Sequence, residues 1–363
     1  MKKLETLIQG IGESVIIGNT NRDISELFFD SRLVTPDSLF VAIRGNTEDG
    51  SVFIHDAIMR GSKVVIHDTV LRETKSDITY IMVKDSRIAL AHIAENFYGN
   101  PSSKIALVGV TGTNGKTTTA TLLFELFIKL GYHSALISTI ENKIGDEIFP
   151  TTHTTPDPIT LSLFLSEAVN KGCSHVFMEC SSHAIDQKRI HGLTFKGGIF
   201  TNLTHDHLDY HKTLEEYAKA KKSFFDFLPQ ESFALANHDD SQSEYMLECT
   251  RAHKHFFSLN ENSLLQKDSR FSGKIINQSL EGCTLEVGGV TLHTKLLGDF
   301  NAYNIVGIYA TALLLGVSEQ KIIPAIAELT SPKGRLEFLR SNRGICGIVD
   351  YAHTPDALYN VLS

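Results

Sequence analysis

No stretch of this 363-residue sequence approaches the roughly 18 consecutive apolar residues that a membrane-spanning helix needs. The opening residues lack the apolar core of a secretory leader, since Glu5, Thr6 and Gln9 follow two early lysines. Cysteine is sparse: the five residues at 173, 180, 249, 283 and 346 show no CxxC spacing, which reads as a reduced, intracellular set. Positive charge is not in excess either. The formal net charge of −8 argues against a general nucleic-acid or anionic-membrane surface, yet leaves room for a local anion site. A soluble, cytoplasmic protein with neither nucleic acid nor membrane as partner is expected.

What is present is an ordinary globular composition, 42% hydrophobic and 21% charged, in a chain longer than one comfortable core. Two or three domains are therefore expected, with no internal repeat and no low-complexity segment. In the first hundred residues, short apolar runs at 39–43, 63–67 and 78–83 predict strands. A helical stretch from Arg87 to Tyr98 stops at Gly99-Asn100-Pro101, a turn signal and a domain boundary. Beyond it, apolar strands at 105–110, 135–138, 176–180, 198–201 and 233–236 alternate with longer helical segments. That order predicts an α/β class with a mostly parallel sheet and helices on both faces. Glycine-rich alternation at 270–297 predicts a small antiparallel part, and 304–315 a helix. A new unit begins near Pro332, with a strand at 345–350 and a helix from Asp356. The expected division is 1–100, 101–331 and 332–363, the last too short to bury its own core.

The strongest local signal is the run Ile105 to Val110 feeding Thr111-Gly112-Thr113-Asn114-Gly115-Lys116-Thr117-Thr118. A buried strand, a glycine turn and a helix start in that order make a phosphate cradle, because freed N–H groups and the helix dipole face the same anion. Lys116 suits the β- and γ-phosphates and the Thr117 hydroxyl suits Mg²⁺. Val110 replaces the first glycine of the strict GxxxxGK[ST] form, so a glycine turn with a surface lysine is the bland alternative.

Two further segments end strands of the same sheet. Glu179 closes the run Val176 to Glu179, and the stretch Thr201 to His211 (TNLTHDHLDYH) follows the next apolar strand. Glu179 alone reads as a structural acid; beside a phosphate loop it reads as a metal ligand. In the helix that follows, Tyr217, Lys221, Phe224, Phe225 and Leu228 share one stripe, with Lys219 and Lys222 outside it. Desolvation would lower the pKa of Lys221, and a neutral lysine amine reacts with carbon dioxide to give a carbamate. A lysine lying along apolar surface with its head in water is the competing reading. A dinuclear metal hydrolase is also conceivable from His205, His207, Asp209 and His211. However, the last histidine falls one position late, and Lys116 is then unexplained. Hard oxygen ligands favour magnesium over zinc.

Together these motifs resemble the Mur ligase superfamily, of the MurE type. Asp30-Ser31-Arg32, Thr111 to Thr118, Thr154-Thr155-Pro156-Asp157, Met178 to His183 with Gln187 and Arg189, and Asn202 to His211 carry the resemblance across the whole chain. It implies an ATP-dependent ligase of peptidoglycan biosynthesis, joining meso-diaminopimelate or L-lysine to the D-glutamate carboxylate of UDP-N-acetylmuramoyl-L-alanyl-D-glutamate through an acyl phosphate. It further implies an N-terminal UDP-substrate domain, a central ATP-binding domain and an incomplete C-terminal Rossmann-like domain that bears the acceptor site. Gly112, Thr113, Asn114, Gly115, Lys116, Thr117, Thr118, Asn301, Asn304, Arg335 and Asp350 fall at nucleotide positions. Ser31, Asn46, Thr154, Thr155, Ser181, Gln187 and Arg189 fall at substrate positions. Thr117, Glu179, His207 and a carbamylated Lys221 fall at the ligands of two magnesium ions, with Lys116, Lys221 and His207 catalytic. For Asn301 and Asn304, helix capping and a satisfied core amide are the readings from the residues alone. A monomer is implied. The MurF type, which adds a D-Ala-D-Ala dipeptide, is the nearest alternative.

Overall fold

The computed structural model describes residues 1–45, 48–151, 153–260, 269–340, 346–353 and 355–362. The chain forms two compact units. One comprises 1–104, 156–167 and 187–193; the other comprises 105–155, 168–186 and 194–363. Among the described residues no helix is long and apolar enough to cross a membrane.

The first unit holds a five-stranded sheet in the order Ser14–Ile17, Thr79–Val83, Val64–His67, Leu39–Val41, Leu27–Phe28. Only the Ser14–Ile17 pairing is antiparallel. All four residues of Val64–His67 are buried, as a strand covered on both faces requires. Side-chain alternation divides its neighbours between two cores: Val64 and Ile66 pack with Leu90 and Ile93 of the helix Ser86–Phe97. Val65 packs with Phe40, Ile54 and Ala57 on the other face. Asp85 caps that helix by accepting the N–H groups of Arg87 and Ile88.

Within the same unit Glu95 is almost fully buried and accepts from the Ser102 hydroxyl and N–H. Burial raises its pKa above the ordinary 4.5, against the lowering effect of the Ser102 bonds. The folded chain therefore keeps a proton at pH values where the unfolded chain has released it, and stability falls as pH rises through the folded value. Glu95→Gln, uncharged at every pH, is expected to gain melting temperature relative to wild type as pH rises above the ordinary carboxylate range. Parallel melting curves for the two proteins across that rise in pH would refute the assignment.

The second unit is built on an eight-stranded sheet in the order Glu147–Phe149, Asn142–Ile144, Ser134–Ile137, His175–Glu179, Ala106–Thr111, Gly197–Phe200, Phe233–Asn237, His253–Phe257. The six strands from Ser134–Ile137 to His253–Phe257 run parallel, and the two at the other edge are antiparallel. The mixed α/β class with a parallel-rich sheet agrees with the sequence. The Asn142–Phe149 hairpin and the last strand were not foreseen. The small antiparallel part is the sheet Gly273–Ser279, Gly282–Val287, Val290–Thr294. The helix expected at 304–315 begins earlier, at Asp299, and runs to Leu314.

Ala106–Thr111 lies between His175–Glu179 and Gly197–Phe200, so the chain leaves it to both sides. Its carboxyl end is a topological switch point, where open α/β sheets form clefts. The helix Leu214–Asp226 packs across the same strand: a Cβ on Gly109 would stand 2.6 Å from Phe224 Cζ and 2.8 Å from Cys180 Sγ. This close approach sets Lys221, on the same helix, beside the loop that the strand feeds.

Candidate active site

The loop from Thr111 to Gly115 joins the central strand to the helix Lys116–Lys129. Gly112 has φ +148°, and a side chain there would collide with the Thr201 hydroxyl. Thr201 and Asn202, at the end of the neighbouring strand, hold the loop. Thr201 Oγ1 donates to the Asn114 carbonyl at 2.6 Å, Asn114 N donates to Asn202 Oδ1 at 2.9 Å, and Thr113 N to the Asn202 carbonyl at 2.8 Å. The loop shape is thus fixed by side chains some ninety residues downstream.

Lys116 Nζ curls back onto its own loop, donating to the carbonyls of Gly112 at 2.9 Å and Thr113 at 2.7 Å. Lys221 Nζ donates to the same Gly112 carbonyl at 2.7 Å and lies 4.4 Å from the Tyr217 ring centroid. Lys221 is only 1% exposed. Burial, reinforced by the Lys116 charge, holds its pKa well below the ordinary lysine value. The Lys116 pKa is also lowered by burial, against the pull of Glu179. The stripe read from the sequence is buried as expected: Tyr217, Phe224, Phe225 and Leu228 are fully enclosed, and Lys219 is exposed. Lys222 departs from it. It too is buried, with Nζ bound to Asp226 Oδ1 at 2.8 Å one turn on.

Glu179 is fully buried at the end of its strand. Its Oε1 accepts from Thr139 N at 2.7 Å, and its Oε2 from the hydroxyls of Thr117 at 3.0 Å and Thr139 at 3.2 Å. Burial raises its pKa, with Lys116 the main opposing charge. Thr117 Oγ1 also accepts from Arg335 Nη2 at 3.1 Å. Arg335 in turn lies 4.6 Å from the Tyr351 ring centroid. Asp350 fastens this segment by accepting Leu336 N at 2.6 Å and Ala352 N at 2.7 Å.

His207 occupies the left-handed region at φ +52°, which is uncommon outside glycine and found at functional sites. Its Nε2 lies 3.5 Å from Asp206 Oδ2. Partial desolvation lowers the pKa of its imidazole, and Asp206 opposes that. The rings of His183 and Tyr217 stand 5.0 and 6.1 Å away. His211 stands beside the same two rings, at 5.2 Å from Tyr217 and 5.7 Å from His183. Among the described residues no three His, Cys, Asp or Glu side chains gather as a metal cluster, as a dinuclear hydrolase requires. The donor set around Thr117 and Glu179 is hard oxygen, which suits magnesium.

A cavity of about 390 Å³ opens over the carboxyl edge of the sheet. It is lined by Thr113 to Thr118, Glu179, His207, Thr154, Ser181, Asn301, Asn304, Arg335 and Asp350. Gly112, Thr155 and Lys221 lie behind that surface. Thr155 Oγ1 donates to the Glu179 carbonyl at 2.8 Å and accepts Ser181 N at 3.1 Å. Asn301 Nδ2 donates to the Leu297 carbonyl at 2.8 Å. Asn304 Nδ2 donates to Asn301 Oδ1 at 3.0 Å, and its Oδ1 accepts from Thr119 at 3.2 Å. Both amides are therefore satisfied within the helix region while facing the cavity. Ser31, Gln187 and Arg189 fall in the first unit. There Ser31 is buried and Arg189 is bidentate to Gln187 Oε1, at 3.0 and 2.7 Å. Asn46 lies outside the described residues. Thr139 and Asp206 also line the cavity and were not singled out from the sequence.

Residues 110–312 match the model of the Mur ligase middle domain, and residues 23–98 that of the Mur ligase family, catalytic domain. The chain belongs to the Mur ligase family. Similar relatives include the UDP-N-acetylmuramoyl-L-alanyl-D-glutamate–2,6-diaminopimelate ligases of Phocaeicola vulgatus, at 48% identity, and Cytophaga hutchinsonii, at 49%. Each match covers 99% of this chain and 73% of the relative. A solved structure of a ligase with the same name superposes with a TM-score of 0.81 at 28% identity, over 98% of this chain and 73% of that one. Among Mur ligases, this chain is of the MurE type.

Proposed function

We propose that this chain is an ATP-dependent ligase of peptidoglycan synthesis that joins 2,6-diaminopimelate to the D-glutamate carboxylate of UDP-N-acetylmuramoyl-L-alanyl-D-glutamate. One observation carries the reading: the lysine-bearing anion loop, the buried Glu179 and His207 line one cavity at the switch point of a single sheet. The names of relatives at 48 and 49% identity support diaminopimelate over L-lysine as acceptor.

The chemistry has two steps. A carboxylate oxygen of the D-glutamate attacks the γ-phosphorus of ATP, the bond to the bridging oxygen breaks, and ADP leaves. The acceptor amine then attacks the acyl carbon, inorganic phosphate departs, and the amine loses its proton. The first step brings an anion to a polyanion; at about 4 Å and an effective dielectric of 20, each unit-charge pair repels by about 4 kcal/mol. Lys116, released from the Gly112 and Thr113 carbonyls, supplies a cation that offsets this, and the N–H groups of the loop hold the phosphates. Arg335 adds a second positive group at the Thr117 side.

Thr117, Glu179, His207 and a carbamate on Lys221 would hold two magnesium ions, whose charge would offset the phosphate oxygens. The buried, pKa-lowered amine of Lys221 supports that modification. In this reading Asn301, Asn304 and Asp350 take the nucleotide, and Thr154 and Ser181 at the cavity wall, with Thr155 behind them, take the peptide portion. In this scheme residues 1–100, with Ser31 and Asn46, take the UDP end, and Gln187 with Arg189 the diphosphate portion. Residues 101–331 bind ATP, and 332–363 open the acceptor-binding part. The reaction is placed in the cytoplasm.

Isotope exchange between labelled ADP and ATP, required to depend on UDP-N-acetylmuramoyl-L-alanyl-D-glutamate, tests the first step without the acceptor. Exchange is expected with that carboxylate and not with the UDP-sugar lacking the dipeptide. Its absence in a preparation that binds both ligands would sink the proposal.

A further inference from the structure

The strand Ser134–Ile137 runs parallel to His175–Glu179, with Ile137 opposite Met178, so the chain leaves the pairing beside Glu179. The turn that follows is pinned. Ser138 N donates to Asn142 Oδ1 at 3.2 Å, and the Ser138 hydroxyl donates to the Glu141 carbonyl at 2.7 Å. Thr139, half-buried at the cavity wall, is thereby presented to the carboxylate from a rigid turn.

Thr139 grips both oxygens of Glu179, its N–H at Oε1 and its hydroxyl at Oε2. The same hydroxyl reaches Thr154 Oγ1 at 3.1 Å. The Thr139 hydroxyl has one proton: given to Glu179, it leaves the oxygen open to accept from Thr154, whose own hydroxyl is also a donor. With Thr117 also on Oε2, three donors leave the carboxylate no freedom to turn. A carboxylate buried to this extent depends on such donors for both its orientation and its charged state.

We propose that Thr139 is a positioning residue, fixing the Glu179 carboxylate for a divalent cation and linking it to the Thr154 hydroxyl. The inference rests on the reading of Glu179 as a cation ligand. Thr139→Val removes the hydroxyl and keeps the N–H bond, whereas Thr139→Ser restores the hydroxyl.

ADP binding is measured by calorimetry over a Mg²⁺ series, alongside the melting temperature without ligands. For wild type, ADP affinity is expected to rise with Mg²⁺. Thr139→Val is expected to need about tenfold more Mg²⁺ for the same gain, and Thr139→Ser to fall within about twofold of wild type. Thr139→Val, which loses a bond to a buried carboxylate, should melt somewhat below the other two yet stay folded at the assay temperature. Thr139→Ala gives the same readout if valine packs badly. A Thr139→Val curve that overlays wild type overturns the positioning role and leaves the cation reading standing. A serine variant as impaired as valine overturns it too, since the hydroxyl is then not the cause. If neither wild type nor Glu179→Gln responds to Mg²⁺, the cation reading fails and the inference falls with it.

Discussion

Lys116→Ala is expected to lower ATP turnover by about 10²–10³-fold, the scale for deleting a preorganised charge from a transition state. The effect should fall on kcat as well as on nucleotide affinity, because phosphoryl charge is redistributed as the bond to ADP breaks. The ligand-free protein should not lose stability. In the resting chain Lys116 and Lys221 donate to one carbonyl, Gly112 O, so Lys221 still satisfies it when Lys116 is removed, and one buried amine fewer is desolvated. Turnover within threefold of wild type, measured by ADP release with saturating substrate, would remove Lys116 from the mechanism.

Lys221→Ala should be almost as damaging to activity, for a different reason. Its amine contacts the loop from behind the cavity surface, so an alanine leaves the nucleotide pocket open but deletes the carbamate proposed there. A loss of at least about 10- to 100-fold is expected, as for other supports of metal ligands. Because the cavity left behind is small, a short carboxylate such as formate or acetate should restore part of the activity. Mass spectrometry of the native protein under bicarbonate should show an added carboxylate that disappears in the variant. A fully active Lys221→Ala protein would refute the role.

How much of this was legible beforehand follows from where each signal resides. The strands at 105–110, 176–180 and 198–201 are continuous apolar runs because both faces of the sheet are covered, and the structure places them within a residue or two of that reading. The edge strand Ser14–Ile17 was not foreseen although Val15-Ile16-Ile17 is a short β-branched run; its four residues are exposed at the edge of the sheet. His253–Phe257 opens with His-Lys-His, and those first residues lie near solvent at the far edge of the sheet. Lys221 was legible from its stripe; Lys222 was not, because its burial depends on an ion pair with Asp226 rather than on apolar spacing. Thr139 was invisible for a deeper reason. Its contacts with Glu179 arise from the adjacency of two strands some forty residues apart, and no local period encodes which strands become neighbours. The facing of Asn301 and Asn304 illustrates the opposite case. They line the cavity, yet their amides are engaged much as capping and core chemistry alone would have them.

The bond from Arg335 to Thr117 joins positions 218 residues apart. On a ribosome the anion loop could take shape long before its guanidinium partner is made, and loop closure over that span carries a large entropic toll. The wall of the cavity that Arg335 supplies is therefore the late-arriving one. A bound polyanion, such as a nucleoside triphosphate tail, would favour its arrival by mass action. Ligand and latecomer would then stabilise each other, so that saturation with nucleotide should slow proteolysis in residues 335–340 and 346–353 more than in the central sheet.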